Sequence, residues 1–340
     1  MKLAYEQIKE ITQGAEDIKS TFDGIQFFRF TEKELQQRKE SGSFERSYST
    51  AGVRLEFETD SRELYIKFAV KATMQRTYMA VDVLVNGQRI GSVRNSPEDE
   101  LLGTFFAINP YEWKDKVFEG KFDLGEGTKK VSVYLPWNYV MYLQELSLDD
   151  TSFVKPYKRS KKMLVLGDSI THGFDAVCPS RSYASIMTAA LDAEEYNKAI
   201  GGDKFTPAIA DALEEREYDY VSIAYGTNDW CCCPVNIFIR HTKMFYEKLT
   251  EAYPDTRIFA ITPIWRKNWE EDARLGKFFD VEKNIKELTK DYENVTVIEG
   301  FDLIPHEDKY FSDAEVLHPN DEGFKLYGEN LALKIKEKLI

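Results

Sequence analysis

The stretch that decides the fold is Met163-Leu164-Val165-Leu166-Gly167-Asp168-Ser169-Ile170-Thr171. Four apolar residues run without a polar interruption and end at a glycine. Such a run belongs to a strand covered on both faces, as in a parallel sheet, because a half-exposed strand would alternate apolar with polar residues. Three similar runs follow: Tyr220-Val221-Ser222-Ile223-Ala224-Tyr225, Ile258-Phe259-Ala260-Ile261 and Val295-Thr296-Val297-Ile298. The segments between them read as helices at about 182–192, 207–216, 236–252 and 281–292, and a last helix closes the chain at about 323–339. Strand–helix alternation at this spacing predicts a three-layer α/β/α arrangement around a parallel sheet, over residues 161–340.

Upstream the rhythm is different. Val53, Leu55 and Phe57 alternate with polar or charged partners, as do Leu64, Ile66, Phe68 and Val70, then Val81, Val83 and Val85, then Val131, Val133 and Leu135. A period of two puts one set of side chains on a buried face and the other toward water, the mark of antiparallel sheet. Asn86-Gly87 tolerates the positive φ angles of a tight hairpin, and Gly125-Glu126-Gly127 marks another turn. Several short strands with turns between them predict an all-β sandwich or jelly roll over residues 1–155. Residues 154–162 are basic, contain Pro156 and are poor in apolar side chains, so they read as a linker between the two domains.

Composition narrows the function classes. A chain of 340 residues with 43% hydrophobic content is long enough for two packed cores. Its net charge of −13 disfavours nucleic acid and anionic membrane as partners, since both would repel it. No apolar run approaches the roughly 18 residues of a membrane span, and the first twenty residues show no secretory signal. Cys231, Cys232 and Cys233 are contiguous and Cys178 stands alone, which is neither a disulfide framework nor a zinc spacing. The expectation is a cytoplasmic protein with reduced thiols, no metal and no cofactor. A monomer and an oligomer are both compatible with this composition.

In an open parallel sheet the reactive groups collect beyond the C-terminal ends of the strands. The first strand is followed by Gly167-Asp168-Ser169-Ile170-Thr171, and a later one by Gly226-Thr227-Asn228-Asp229. Leu317-His318-Pro319-Asn320 precedes the last helix. Taken singly, Ser169 could cap a helix, Asn228 and Asp229 could form a turn, and His318 could be a surface histidine. Taken together they bring a hydroxyl, a side-chain amide and an imidazole to one sheet edge.

These blocks, with Asn197-Lys198-Ala199-Ile200-Gly201-Gly202 between them, resemble the SGNH (GDSL) hydrolases over roughly residues 161–340. The resemblance implies Ser169 as nucleophile and His318 as its general base and acid. It implies an oxyanion hole made by the backbone N–H groups of Ser169 and Gly202 and the side-chain amide of Asn228. Family members usually carry Asp three residues before the histidine, where this chain has Glu315. Glu315 is the first choice to orient His318, with Asp313 and a backbone carbonyl as alternatives.

A sandwich fused ahead of such a domain resembles certain two-domain carbohydrate esterases. That resemblance implies a serine esterase acting on a carboxylic ester, an acetyl ester first, of a small molecule or an oligosaccharide. A lipase or thioesterase for longer acyl chains and a non-catalytic glycan-binding protein are the competing readings. Trp230, the three cysteines after it, His172 and the stretch Trp265-Arg266-Lys267-Asn268-Trp269 are candidate pocket walls, the last suited to stacking on a sugar. His241 reads as structural, and the aromatic cluster 137–142 as a packing element or an arm toward the site.

Overall fold

A computed structural model describes residues 1–39, 44–73, 76, 78–95, 116–213, 216–312 and 316–339. The chain divides into two compact units that are discontinuous in sequence. A sandwich unit comprises Met1–Phe30, Glu45–Arg159 and Val177–Arg181, and an α/β unit comprises Thr31–Phe44, Ser160–Ala176 and Ser182–Ile340. The linear partition expected between residues 155 and 161 is therefore broken by two excursions, 31–44 into the α/β unit and 177–181 into the sandwich unit.

Two antiparallel sheets build the sandwich unit. One runs in the order Asp17–Thr21, Gly24–Phe28, Tyr139–Leu148, Glu63–Ala72, Lys116–Asp123. The other runs Thr12–Gln13, Arg54–Thr59, Lys129–Tyr134, Ala80–Val85, Gln88–Arg94. Leu55, Phe57, Val83 and Val133 from the second sheet share a core with Leu64, Ile66, Phe68 and Met141 from the first, all fully buried. At roughly 1.5–3 kcal/mol for each large apolar side chain, this shared face is the main reason the alternating segments form sheets. Asn86 and Gly87 sit at φ 49° and 83°, and they turn Ala80–Val85 into Gln88–Arg94 with Val85 opposite Gln88.

The basic stretch after residue 154 is docked rather than a free linker. Lys155 and Pro156 pair with Glu58 and Phe57, and the Arg159 guanidinium reaches both oxygens of Glu56 at 2.7 Å. Burial pushes the Glu56 carboxyl up, but Arg54, Arg159 and Lys130 together outweigh it and hold the group down at about 2.

The α/β unit holds a five-stranded parallel sheet in the order Ala193–Asn197, Lys161–Gly167, Tyr220–Ala224, Arg257–Ile261, Val295–Ile298. Met163 and Val165 join the core on one face and Leu164 and Leu166 the core on the other, which explains the uninterrupted apolar run. The edge strand Ala193–Asn197 escapes sequence reading because Glu194 and Glu195 break its hydrophobicity. Glu195 is nonetheless buried, its carboxylate accepting from Ser185 Oγ at 3.1 Å and Asn197 Nδ2 at 3.0 Å.

Helices Tyr183–Ala190, Pro207–Ala212, Val235–Ala252, Phe278–Thr289 and Asp321–Leu339 match the predicted segments with shifted ends. The second stops at Ala212, short of the predicted 216, and residues 214 and 215 lie outside the described residues. From Lys161–Gly167 the chain builds the neighbour on one side, then crosses back to Tyr220–Ala224 on the other. In an open parallel sheet such a reversal marks a crevice beyond the C-terminal end of the strand where it occurs, here Lys161–Gly167.

The same unit takes in the helix Glu32–Arg38, which starts with a capping box in which Thr31 and Glu34 exchange side-chain-to-backbone hydrogen bonds. Among the described residues no helix is long and apolar enough to cross a membrane. None of the four cysteines is disulfide-bonded.

Candidate active site

Ser169 begins the short helix Ser169–His172 just after the strand Lys161–Gly167. The cap of this helix is the preceding residue and not Ser169, since the Asp168 carboxylate accepts from Ile170 N–H at 3.0 Å. Gly167 is needed at the turn because a Cβ there would lie 2.0 Å from Thr171 Oγ1. Burial drives the Asp168 carboxyl up to about 7, against the Ile170 hydrogen bond and the attraction of His318.

His318 Nε2 lies 2.8 Å from Ser169 Oγ, and each residue is only 6% exposed. The loop that carries the histidine is closed by a bridge between Phe311 and Pro319 and by Ser312 N–H donating to the His318 carbonyl at 2.9 Å. Asn320 then caps the last helix, its Oδ1 accepting from Glu322 and Gly323 N–H at 3.1 Å each. Phe174 stands between two imidazoles, its ring centroid 5.6 Å from that of His318 and 5.5 Å from that of His172.

Residues 313–315 lie outside the described residues, and with them both sequence candidates for orienting the histidine, Asp313 and Glu315. A different carboxylate faces the ring. Asp175 Oδ2 is 3.4 Å from His318 Nδ1, with the Asp175 side chain 1% exposed. Asp175 adopts φ 71°, the left-handed region that Asp tolerates better than most residues. The separation is that of an ion pair rather than a tight hydrogen bond; such contacts are often long before substrate binds. No motif announces Asp175, since its partner is 143 positions downstream in the sequence.

Gly202 and Asn228 are brought to the same edge and tied together. Gly202 has φ 92° and is exposed, while Gly201 beside it is buried. Asn228 Nδ2 donates to the carbonyl of Asp203 at 3.1 Å, linking the amide to the loop that holds Gly202. His172 is buried beneath that loop, its Nδ1 accepting from Gly201 N–H at 3.2 Å. The next residue after Asn228, Asp229, accepts from Phe205 N–H, and burial raises its carboxyl to about 7.

Several of the side chains expected to wall a pocket have their faces already occupied. Trp230 is buried against Phe278 at 5.1 Å and under the Arg266 guanidinium at 4.8 Å, with its indole N–H on the Gly276 carbonyl. Arg266 donates to Thr227 Oγ1 at 3.0 Å, at the base of the helix that starts with Thr227 and Asn228. Trp265 stacks on His306 and meets Phe311 edge-on, and Trp269 packs on Phe279 and Phe301. Trp265 is buried in these contacts and has little ring surface left for a sugar, while Trp269 is half-buried. Cys231 and Cys232 are exposed and Cys233 is buried. His241 is half-buried on the helix Val235–Ala252. In the cluster 137–142, Trp137 meets Tyr78 edge-on at 5.9 Å within the sandwich unit. Among the described residues no group of three or more His, Cys, Asp or Glu is arranged to hold a metal ion.

Comparison with solved structures finds the fold elsewhere over the whole chain. The salicylyl-acyltransferase SsfX3 of a tetracycline biosynthetic pathway superposes with a TM-score of 0.79 at 21% identity, covering 97% of this chain and 94% of its own. A Bacteroides ovatus protein named as a GDSL-like lipase gives 0.73 at 17% identity, covering 100% and 98%. A family two carbohydrate esterase from Cellvibrio japonicus gives 0.64 at 16% identity, covering 99% and 97%. At these identities the likeness is one of fold. Comparison with curated protein sequences returned no match. Residues 165–326, which run from the strand Lys161–Gly167 through the serine, asparagine and histidine blocks into the last helix, match the GDSL-like Lipase/Acylhydrolase family, and over that stretch the chain is similar to its members.

Proposed function

We propose that the chain is a serine esterase that hydrolyses carboxylic esters, with acetyl esters of a carbohydrate as the first substrate class to test. The observation that carries this reading is the 2.8 Å contact of Ser169 Oγ with His318 Nε2 at the C-terminal edge of the parallel sheet. As Ser169 Oγ attacks the ester carbonyl carbon, His318 Nε2 takes the hydroxyl proton, and the carbonyl oxygen becomes an oxyanion. Backbone N–H groups of Ser169 and Gly202 and the Asn228 amide are the donors for that charge. Collapse of the tetrahedral intermediate expels the alcohol, which receives the proton from His318 and leaves an acyl-Ser169. Water then attacks the acyl carbon, His318 takes its proton, and the acid departs as the Ser169 hydroxyl is restored.

Asp175 is the orienting carboxylate in this scheme. It would hold Nδ1 protonated so that Nε2 stays an acceptor, and it would stabilise the imidazolium formed during attack. The sugar preference draws on the carbohydrate esterase among the structural neighbours and on a sandwich unit in the same chain, an analogy of fold. Hydrolysis of p-nitrophenyl esters from acetate to octanoate, with Ser169→Ala as control, tests the reading. Fast, Ser169-dependent turnover of acetate that declines with chain length is the expected result. A preference for long chains would move the assignment to lipid or thioester substrates, and the absence of Ser169-dependent turnover would favour a binding module.

A further inference from the structure

The loop that carries Gly202 has a strong and a weak half. Its first residues are fixed to the sheet: Lys198 N–H donates to the Val165 carbonyl at 2.9 Å, Ile200 N–H to the Gly167 carbonyl at 3.2 Å, and Asn197 Nδ2 to the Thr171 carbonyl at 3.0 Å. Beyond Ile200 the chain turns sharply, with Asp203 N–H returning to the Ile200 carbonyl at 3.0 Å and Gly202 at the bend. From there the position of the backbone depends largely on side chains brought from elsewhere.

Two side chains of the helix Glu32–Arg38, which lies about 165 positions earlier in the sequence but within the same unit, reach this loop, Arg38 beyond Ile200 and Glu34 before it. Arg38 Nη1 donates to Asp203 Oδ2 at 2.9 Å, with only 6% and 13% of the two side chains exposed. Glu34 Oε2 accepts from Lys198 Nζ at 2.7 Å, with 6% and 2% exposed. Charges this deeply buried are tolerated only when paired, so each contact constrains both partners strongly. Asp203 is thus gripped from two directions. Its carboxylate faces Arg38 and its carbonyl accepts from Asn228 Nδ2.

We propose that the helix Glu32–Arg38 sets the geometry of the oxyanion hole, with Arg38 and Glu34 as positioning residues that act through Asp203 and Lys198 on Gly202 and Asn228. This rests on the esterase reading for the meaning of Gly202 and Asn228, but the clamp itself is a separate physical claim. Without Arg38 the bend 200–203 loses its outer anchor, and the Gly202 N–H and the Asn228 amide lose their common reference. The donors would then have to reorganise as charge develops, which lowers kcat rather than substrate affinity.

The test uses the full chain and two readouts. In the first, Arg38→Ala is expected to lower kcat on p-nitrophenyl acetate by roughly 10- to 100-fold, the scale of a small misplacement of catalytic groups, with KM nearly unchanged. Arg38→Lys is expected to recover part of the loss. Arg38→Ala combined with Asn228→Ala is expected to cost less than the product of the single losses, because both act on one hole. Lys33→Ala, on the same helix and outside the clamp, is expected to keep the parental kcat. In the second readout, hydrogen exchange of the amides 201–205 is expected to speed up in Arg38→Ala while strands Lys161–Gly167 and Tyr220–Ala224 keep their protection. If Arg38→Ala does not fold, Asp203→Asn, which keeps the carbonyl contact to Asn228, carries both measurements.

Parental kcat together with parental exchange at 201–205 would overturn the proposal, as would fully multiplicative losses in the double variant. If the parent protein shows no Ser169-dependent turnover, the esterase reading fails, and the exchange of 201–205 alone still decides whether the helix clamps the loop.

Discussion

His318 meets three groups of different chemistry: the Ser169 hydroxyl at Nε2, the Asp175 carboxylate near Nδ1 and the Phe174 ring. The first was legible in the sequence, because the serine and histidine blocks sit at fixed places beside a strand end and a helix start. The second was not, because an aspartate three residues beyond His172 belongs to no pattern and only the φ 71° bend turns it inward. Asp175→Asn is expected to lower kcat by roughly 10²–10⁴-fold, up to the scale seen when an orienting carboxylate loses its charge. Glu315→Gln and Asp313→Asn, assayed beside it, are expected to stay near the parent. A large loss at Glu315 and none at Asp175 would return the role to the position the sequence favoured. Asn228→Ala is expected to cost about 2.7–4 kcal/mol of barrier, seen as a fall in kcat. A fall matched by global unfolding would instead mark Asn228 as structural.

Elements were readable where one face or both faces are apolar, and unreadable where polar side chains are satisfied by distant partners. The strand Lys161–Gly167 announced itself because Met163, Leu164, Val165 and Leu166 enter two cores in alternation. Edge strands such as Asp17–Thr21, with only Ile18 buried, carry too little pattern to be seen. The turn after the strand Lys161–Gly167 makes a sharp demand on sequence. Gly167→Ala would press a Cβ into Thr171, whose hydroxyl already lies 2.7 Å from the Tyr183 hydroxyl. The expected cost is about 1–3 kcal/mol in chemical denaturation, together with reduced turnover as Ser169 shifts. A variant as stable as the parent would show that the turn has room to relax.

At the scale of the molecule, the motifs gave the order of the two folds but not their interleaving. Helix Glu32–Arg38 is short and polar, and the partners that bury its charges, Lys198 and Asp203, lie far along the chain. No local rule connects them. Buried charge also sets opposite pH dependences in the two units. Glu56 in the sandwich unit is held at about 2 against an ordinary 4.5. Its contribution is therefore full above pH 4.5 and is lost as the pH falls toward 2. Asp229 in the α/β unit is raised to about 7 from an ordinary 3.8, so its burial favours the folded state most below pH 4, and that advantage is lost as the pH rises toward 7. Glu56→Gln is expected to flatten the acid limb of a stability–pH profile, and Asp229→Asn to flatten the fall between pH 4 and 7. Profiles parallel to the parent in denaturant titrations would contradict both assignments.

Covalent labelling reads out whether Ser169 is a nucleophile activated by His318. Treatment with diethyl p-nitrophenyl phosphate, followed by peptide mass spectrometry, should find one diethylphosphoryl group on Ser169, with release of one p-nitrophenolate. Labelling should be absent in Ser169→Ala and strongly slowed in His318→Ala. A parent protein that stays unmodified, or one labelled equally fast without His318, would rule out activation of Ser169 by His318.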